Sequence, residues 1–177
     1  MLLHLPITNL QTSSPTNLNV YKDLPLPLKG LNFCHMNVCS LTNKLDEIKL
    51  ILSSRITSSN AKKPNLLLGL SETFFDDSWD NATLAVDHCT IVRADRKGKK
   101  GGGLLLYVPD NLIFKRRLDL EINGVECLWI EIIFPHSKPI LVSFVYRPPS
   151  SDASFLDIFD SMLSKVKQTL RVTKQLF

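Results

Sequence analysis

Leu66-Leu67-Leu68-Gly69-Leu70, closed by Ser71-Glu72-Thr73, is the stretch on which the fold turns. A continuous apolar run bounded by polar residues matches a strand covered on both faces, because a half-exposed strand alternates apolar with polar. Such a strand needs material above and below its sheet. Upstream, Leu31, Phe33 and His35 to Val38 predict a first strand, and Asn43 can cap a helix whose first turn carries Asp46 and Glu47, favourably placed against the helix dipole. Leu45, Ile48, Ile51 and Leu52 fall at helical spacing through about Arg55, and the polar residues Thr57 to Lys63 with Pro64 end that helix.

Downstream, five runs read as successive strands: Cys89 to Arg93, Leu104 to Val108, Ile113 to Leu118, Cys127 to Ile133 and Ile140 to Tyr146. Their spacing fits hairpins in an antiparallel or mixed sheet better than a chain of βαβ units. A second helix follows Pro148-Pro149, with Phe155, Ile158, Phe159, Met162, Leu163, Val166 and Leu170 on one stripe and Ser154 with Asp157 in a capping-box relation. Two helices and about seven strands predict an α/β protein built as a layered α/β sandwich.

With 177 residues and 44% hydrophobic content, one core is expected, large enough to fold without disulfides or metal. No apolar run approaches the ~18 residues of a membrane span. Four cysteines without a Cys-x-x-Cys pair read as reduced thiols of an intracellular protein. Residues 1–29 hold four of the ten prolines and many Asn, Ser and Thr, so they read as a flexible leader outside the core, and 30–177 as the domain. The net charge of +4 is unevenly placed. Arg93, Arg96, Lys97, Lys99 and Lys100 stand against Asp95 alone, as much net charge as the whole chain carries, and such a loop favours a polyanion or is a solvated turn.

Glu72 follows directly on the buried strand, where layered α/β folds place their sites and the strand holds the backbone rigid. It is a candidate metal ligand or general base, or else a carboxylate that caps the next turn. Asn37 takes the matching place on the first strand, where an amide can hold a neighbouring carboxylate or donate to phosphate. Tyr146 closes the last strand ahead of Arg147: a phenol can donate to a developing oxyanion and a guanidinium can pair with phosphate. Gly101-Gly102-Gly103 lacks the Gly-Lys-Ser/Thr of a P-loop, so it reads as a hairpin turn with basic residues at its rim.

Cys34-His35-Met36-Asn37-Val38-Cys39-Ser40-Leu41, followed by Asn43-Lys44-Leu45-Asp46-Glu47-Ile48, resembles the opening of the endonuclease domain of non-LTR retrotransposons. Gly69-Leu70-Ser71-Glu72-Thr73, Arg93-Ala94-Asp95-Arg96, Gly101 to Val108, Glu126-Cys127-Leu128-Trp129 and Val145-Tyr146-Arg147-Pro148-Pro149 continue the resemblance in order, from about Leu31 to about Leu170. The resemblance implies the endonuclease/exonuclease/phosphatase (DNase I-like) sandwich and Mg²⁺-dependent nicking of target DNA. Glu72 would then be the Mg²⁺ ligand, Asn37 a support for metal and scissile phosphate, and Tyr146 a phosphate contact. Arg93, Arg96, Lys97, Lys99, Lys100 and Arg147 would meet DNA, in a protein that works in the nucleus.

Departures from that pattern are specific. Cys39 stands where Arg is common, and Phe74 where Trp is usual. The Asp-x-Asn motif and terminal Ser-Asp-His, which supply the activating base and further metal contacts, do not occur. The chain is therefore expected to be a domain cut short at its carboxy end and inactive alone. A non-catalytic retroelement remnant, or a phosphoinositide or lipid phosphodiesterase of the same fold, are the alternatives.

Overall fold

The computed structural model describes residues 30–57, 65–98 and 101–175. The leader 1–29, Lys99 and Lys100 lie outside them. The chain forms two compact units, one up to Leu112 and one from Ile113, each with its own sheet.

In the first unit, β1 (Leu31–Asn37) and β2 (Asn65–Ser71) run parallel with Asn37 opposite Ser71. α1 (Leu45–Thr57) makes the crossover that a parallel pair requires. The one-turn α2 (Asn81–Leu84) is capped by the Asp80 side chain, which accepts from Ala82 N. β3 (Cys89–Ala94) and β4 (Leu104–Pro109) form a hairpin, and β4 adds antiparallel to β2. The sheet order is β1-β2-β4-β3, so the Leu66 to Leu70 run is a central strand, and every residue from Leu66 to Ser71 is buried.

One face of this sheet carries Met36, Leu68, Leu70, Leu105 and Tyr107. Leu45, Ile48, Ile51 and Leu52 of α1 cover it together with Leu84 and Val86, as the helical spacing requires. Tyr107 is fully buried and donates its hydroxyl to Leu84 O at 2.9 Å; burial, followed by the nearby Cys89, pushes its phenol far above the usual range. On the opposite face lie Leu67, Leu106 and Leu104, all buried.

The second unit is a three-stranded antiparallel sheet, β5 (Ile113–Arg116), β6 (Glu126–Ile133) and β7 (Ile140–Tyr146), with β6 central. The strand expected over Ile113 to Leu118 ends at Arg116, because Leu118–Leu120 closes into a 3₁₀ turn. Arg117 holds that turn: its guanidinium donates to both Asp119 oxygens at 2.8 and 2.7 Å and to Glu131 at 3.1 Å. α3 (Ser154–Gln175) lays Phe155, Met162 and Val166 on Leu120, Val125, Cys127 and Trp129. Its start departs from the expected Ser154 and Asp157 capping box. Asp152 Oδ1 accepts from Ser154 N at 2.9 Å and from the Ser154 hydroxyl at 2.5 Å, so the serine is a donor to an upstream carboxylate.

The four cysteines are free, and no helix among the described residues is long and apolar enough to cross a membrane. The architecture is a mixed α/β protein with two sheets.

Candidate functional site

Parallel pairing brings Asn37 and Glu72 to the same end of the sheet. Beyond the strands, Val38 N donates to Ser71 O at 2.9 Å, Ser40 N to Glu72 O at 2.8 Å and Leu41 N to Thr73 O at 3.1 Å. On the other side Phe74 N donates to Gly102 O at 3.0 Å, and Thr73 N to Gly103 O at 3.4 Å. The segment from Ser71 to Phe74 is thus held by backbone hydrogen bonds from both flanks. Into this frame Asn37 Nδ2 donates to Glu72 Oε1 at 2.8 Å, while Asn37 Oδ1 accepts from Cys39 N at 3.1 Å. Cys39 N therefore sets the orientation of the amide, turning its NH₂ toward the carboxylate and its oxygen away.

The backbone here is strained. Among the described residues six non-glycines have positive φ, and four of them, Cys39, Ser40, Glu72 and Phe74, lie in this cluster of loops. Each left-handed non-glycine costs about 1–3 kcal/mol, and such conformations persist where the surroundings over-determine them. The flanking hydrogen bonds do so here, and strain of this kind gathers at sites that hold a side chain in a set position.

The hairpin reading of Gly101 to Gly103 holds, with φ of +84°, +68° and +87°. Space is tight at Gly102 and Gly103 and ordinary at Gly101. A methyl group on Gly102 would overlap the Arg96 guanidinium, one on Gly103 would lie 2.6 Å from Thr73 Oγ1, and one on Gly101 would lie 3.5 Å from Phe74 Cε1. Gly103→Ala should thus cost about 2–4 kcal/mol, from left-handed strain plus overlap. Gly98→Ala, at φ +72° with nothing within 4 Å, should cost only the strain, about 1–2 kcal/mol. Urea midpoints of the two variants decide this, and equal losses would mean that crowding against Thr73 plays no part.

The basic loop divides by role. Arg93 lies within β3 and is a brace: its side chain is only 14% exposed and pairs with Asp95 through Nη2 and through Nε at 3.1 Å. Nη1 donates to Trp79 O at 2.8 Å and Asn81 Oδ1 at 3.1 Å, Nη2 to Asp76 O at 3.1 Å, and the guanidinium sits 5.7 Å from the Phe75 ring centre. With its donors turned inward, Arg93 leaves the set of candidate phosphate contacts. Arg96 is half-buried beside the glycines and Lys97 is exposed. Lys99 and Lys100, expected at the DNA, lie outside the described residues.

Tyr146 and Arg147 belong to the second unit. Tyr146 ends β7 opposite Glu126, and exposed Arg147 lies 5.5 Å over the Phe155 ring. His136 sits at φ +56° in the β6–β7 loop.

Three residues around Glu72, to which the sequence alone assigns no role, stand out in the structure. Ser71 Oγ and Thr73 Oγ1 are buried without a hydrogen-bond partner on either side of Glu72. Phe74 is 41% exposed beside Gly101. A hydroxyl residue on each side of the strand-end carboxylate was the available signal.

Among the described residues no group of three His, Cys, Asp or Glu gathers to hold a metal. A hard cation such as Mg²⁺ needs less than that from a protein, since it is commonly held by one or two carboxylates and completed by water and substrate phosphate. Glu72, oriented by an amide, fits this smaller demand.

Fold and site together define a mixed α/β protein that presents an amide-braced carboxylate beside a glycine turn at the ends of two parallel strands. Compared with known proteins, the chain matches no protein-family model and no curated sequence.

Proposed function

We propose that the chain is a Mg²⁺-dependent phosphodiesterase module acting on DNA, of the non-LTR retrotransposon endonuclease type. The carrying observation is the Asn37 to Glu72 hydrogen bond at adjacent strand ends, because an amide that fixes a carboxylate in this way would suit the orientation of a metal ligand. Each unit carries its own sheet with strands and helices in the mixed α/β arrangement that a layered sandwich of the DNase I-like type also uses. Mg²⁺ would supply charge stabilisation to the phosphorane and the leaving oxygen. Glu72 would hold the cation, Asn37 would keep the carboxylate aimed, and Arg96 and Lys97 would offset phosphate charge at the rim. For Tyr146 and Arg147 a phosphate contact rests on the resemblance alone. The Asp-x-Asn and Ser-Asp-His motifs, which the resemblance makes the source of the activating base, do not occur in the 177 residues.

The test uses Mn²⁺ in place of Mg²⁺. The paramagnetic signal of free Mn²⁺ should fall as protein is added, and Mg²⁺ should raise affinity for a DNA duplex. Plasmid nicking by these 177 residues should stay near background, since general acid–base assistance, for which neither motif occurs here, is worth ~10²–10⁴-fold. Absence of both Mn²⁺ binding and metal-dependent DNA affinity would overturn the proposal. Chelator-sensitive nicking would keep it and show that another group here does the work of the base.

A further inference from the structure

Phe74 is the aromatic among the large exposed apolar side chains of the described residues, with the others all aliphatic. Its backbone stands at φ +61°, a costly setting for a bulky residue, yet the ring is not used to fill the core. Phe74 N donates to Gly102 O, which holds the backbone, and the ring lies beside Gly101. The Arg96 guanidinium borders the same two glycines: the methyl position of Gly101 is 3.5 Å from Phe74 Cε1 and 3.9 Å from Arg96 Nη1. Lys97 is exposed at the next position, and Asp76, the neighbouring carboxylate, is turned into its own loop by Ser78 N and Oγ at 3.0 and 2.5 Å.

An exposed aromatic ring near the Arg96 guanidinium, two residues from the candidate metal ligand, is poorly suited to intact duplex, whose bases are already stacked on one another. It suits a base that has left the stack, because stacking on an aromatic surface is tolerant of sequence and adjacent cations hold the backbone. We infer that Phe74, beside Arg96 over the Gly101 to Gly103 turn, is a stacking platform for an unpaired nucleobase and makes this site prefer single-stranded or locally opened DNA. The inference rests on the nucleic-acid reading above.

The experiment measures binding of the full chain, in chelator, to a fluorescein-labelled single-stranded oligonucleotide and its duplex, with 2-aminopurine in the single strand reporting stacking. Phe74→Gly removes the ring and relieves the positive φ, so folding is preserved, which a thermal melt checks. Single-strand affinity should fall roughly 5- to 150-fold with loss of the 2-aminopurine quench. Phe74→Trp should retain both. The salt slope should be unchanged in Phe74→Gly and shallower by about 0.7 in Lys97→Gln. Unchanged affinity in Phe74→Gly, equal losses for single strand and duplex, or no single-strand binding by the parent chain would each overturn the inference. Because the measurement is made without metal, a Phe74-dependent affinity together with no Mn²⁺ binding would sink the phosphodiesterase reading alone. Mn²⁺ binding with indifference to Phe74 would sink only the platform.

Discussion

Glu72→Gln should remove saturable Mn²⁺ binding while leaving the melting curve nearly in place. Glu72 is the carboxylate that the paired strand ends present together with Asn37, and its side chain contributes little to the core, so its chemistry and its packing are separable. Gln keeps the shape and can still accept a hydrogen bond from Asn37, but it offers a cation a neutral oxygen in place of a charged one. Asn37→Ala should produce a smaller loss of about 10–100-fold in affinity, the usual effect of removing a group that orients a ligand. The order matters more than either value. If Glu72→Gln binds Mn²⁺ as the parent does, the carboxylate is a structural cap and the metal reading falls. If Asn37→Ala is as damaging as Glu72→Gln and also melts early, the pair serves the fold first.

The largest effect on stability is expected at Arg93. Arg93→Ala would strand a nearly buried Asp95 carboxylate and leave the Trp79 and Asp76 carbonyl oxygens without this donor, as well as removing the contact over Phe75. Breaking a buried pair by removing one partner typically costs about 3–5 kcal/mol, because the remaining charge is uncompensated. Arg93→Lys keeps the charge but cannot reproduce the planar fork that reaches carboxylate and carbonyls together, so it should recover only part of the loss. Urea unfolding with unchanged m-value is the measurement. A loss under about 1 kcal/mol would return Arg93 to the ordinary surface pairs and reopen its claim as a DNA contact. The double variant Arg93→Ala with Asp95→Ala should be less than additive, since it removes the orphaned charge.

Arg93 shows why the site was only partly legible. In sequence it heads a basic loop, and counting charge groups it with Arg96 and Lys97. Position in a strand carries other information: Arg93 and Asp95 are two residues apart and therefore share a side of an extended chain, which is how one pairs with the other. The segment from Phe75 to Asn81 that closes over the guanidinium is remote in sequence from β3, and no local pattern announces it. Ser154 teaches the same lesson on a smaller scale. Its spacing to Asp157 fits a capping box, but Asp152 lies equally near on the other side and captures the hydroxyl.

What the amino-acid order determined by itself was the alternation of elements. The apolar run at Leu66 to Leu70 reads as a covered strand, the stripe from Leu45 to Leu52 as a helix with one face inward, and the five later runs became β3 to β7 within one residue, apart from the end at Arg116, two residues early. These features are local, because hydrophobic period and turn chemistry act over a few residues. Which strands neighbour which was decided only in three dimensions. The order β1-β2-β4-β3, which sets Asn37 against Ser71 and brings the Gly101 to Gly103 turn beside Thr73 and Phe74, depends on contacts between segments some thirty residues apart. Glu72 could be singled out in the sequence because it ends a strand. Its bond to Asn37, the strain around it and the exposed ring of Phe74 come from backbone hydrogen bonds on both flanks, and those exist only once the sheet has formed.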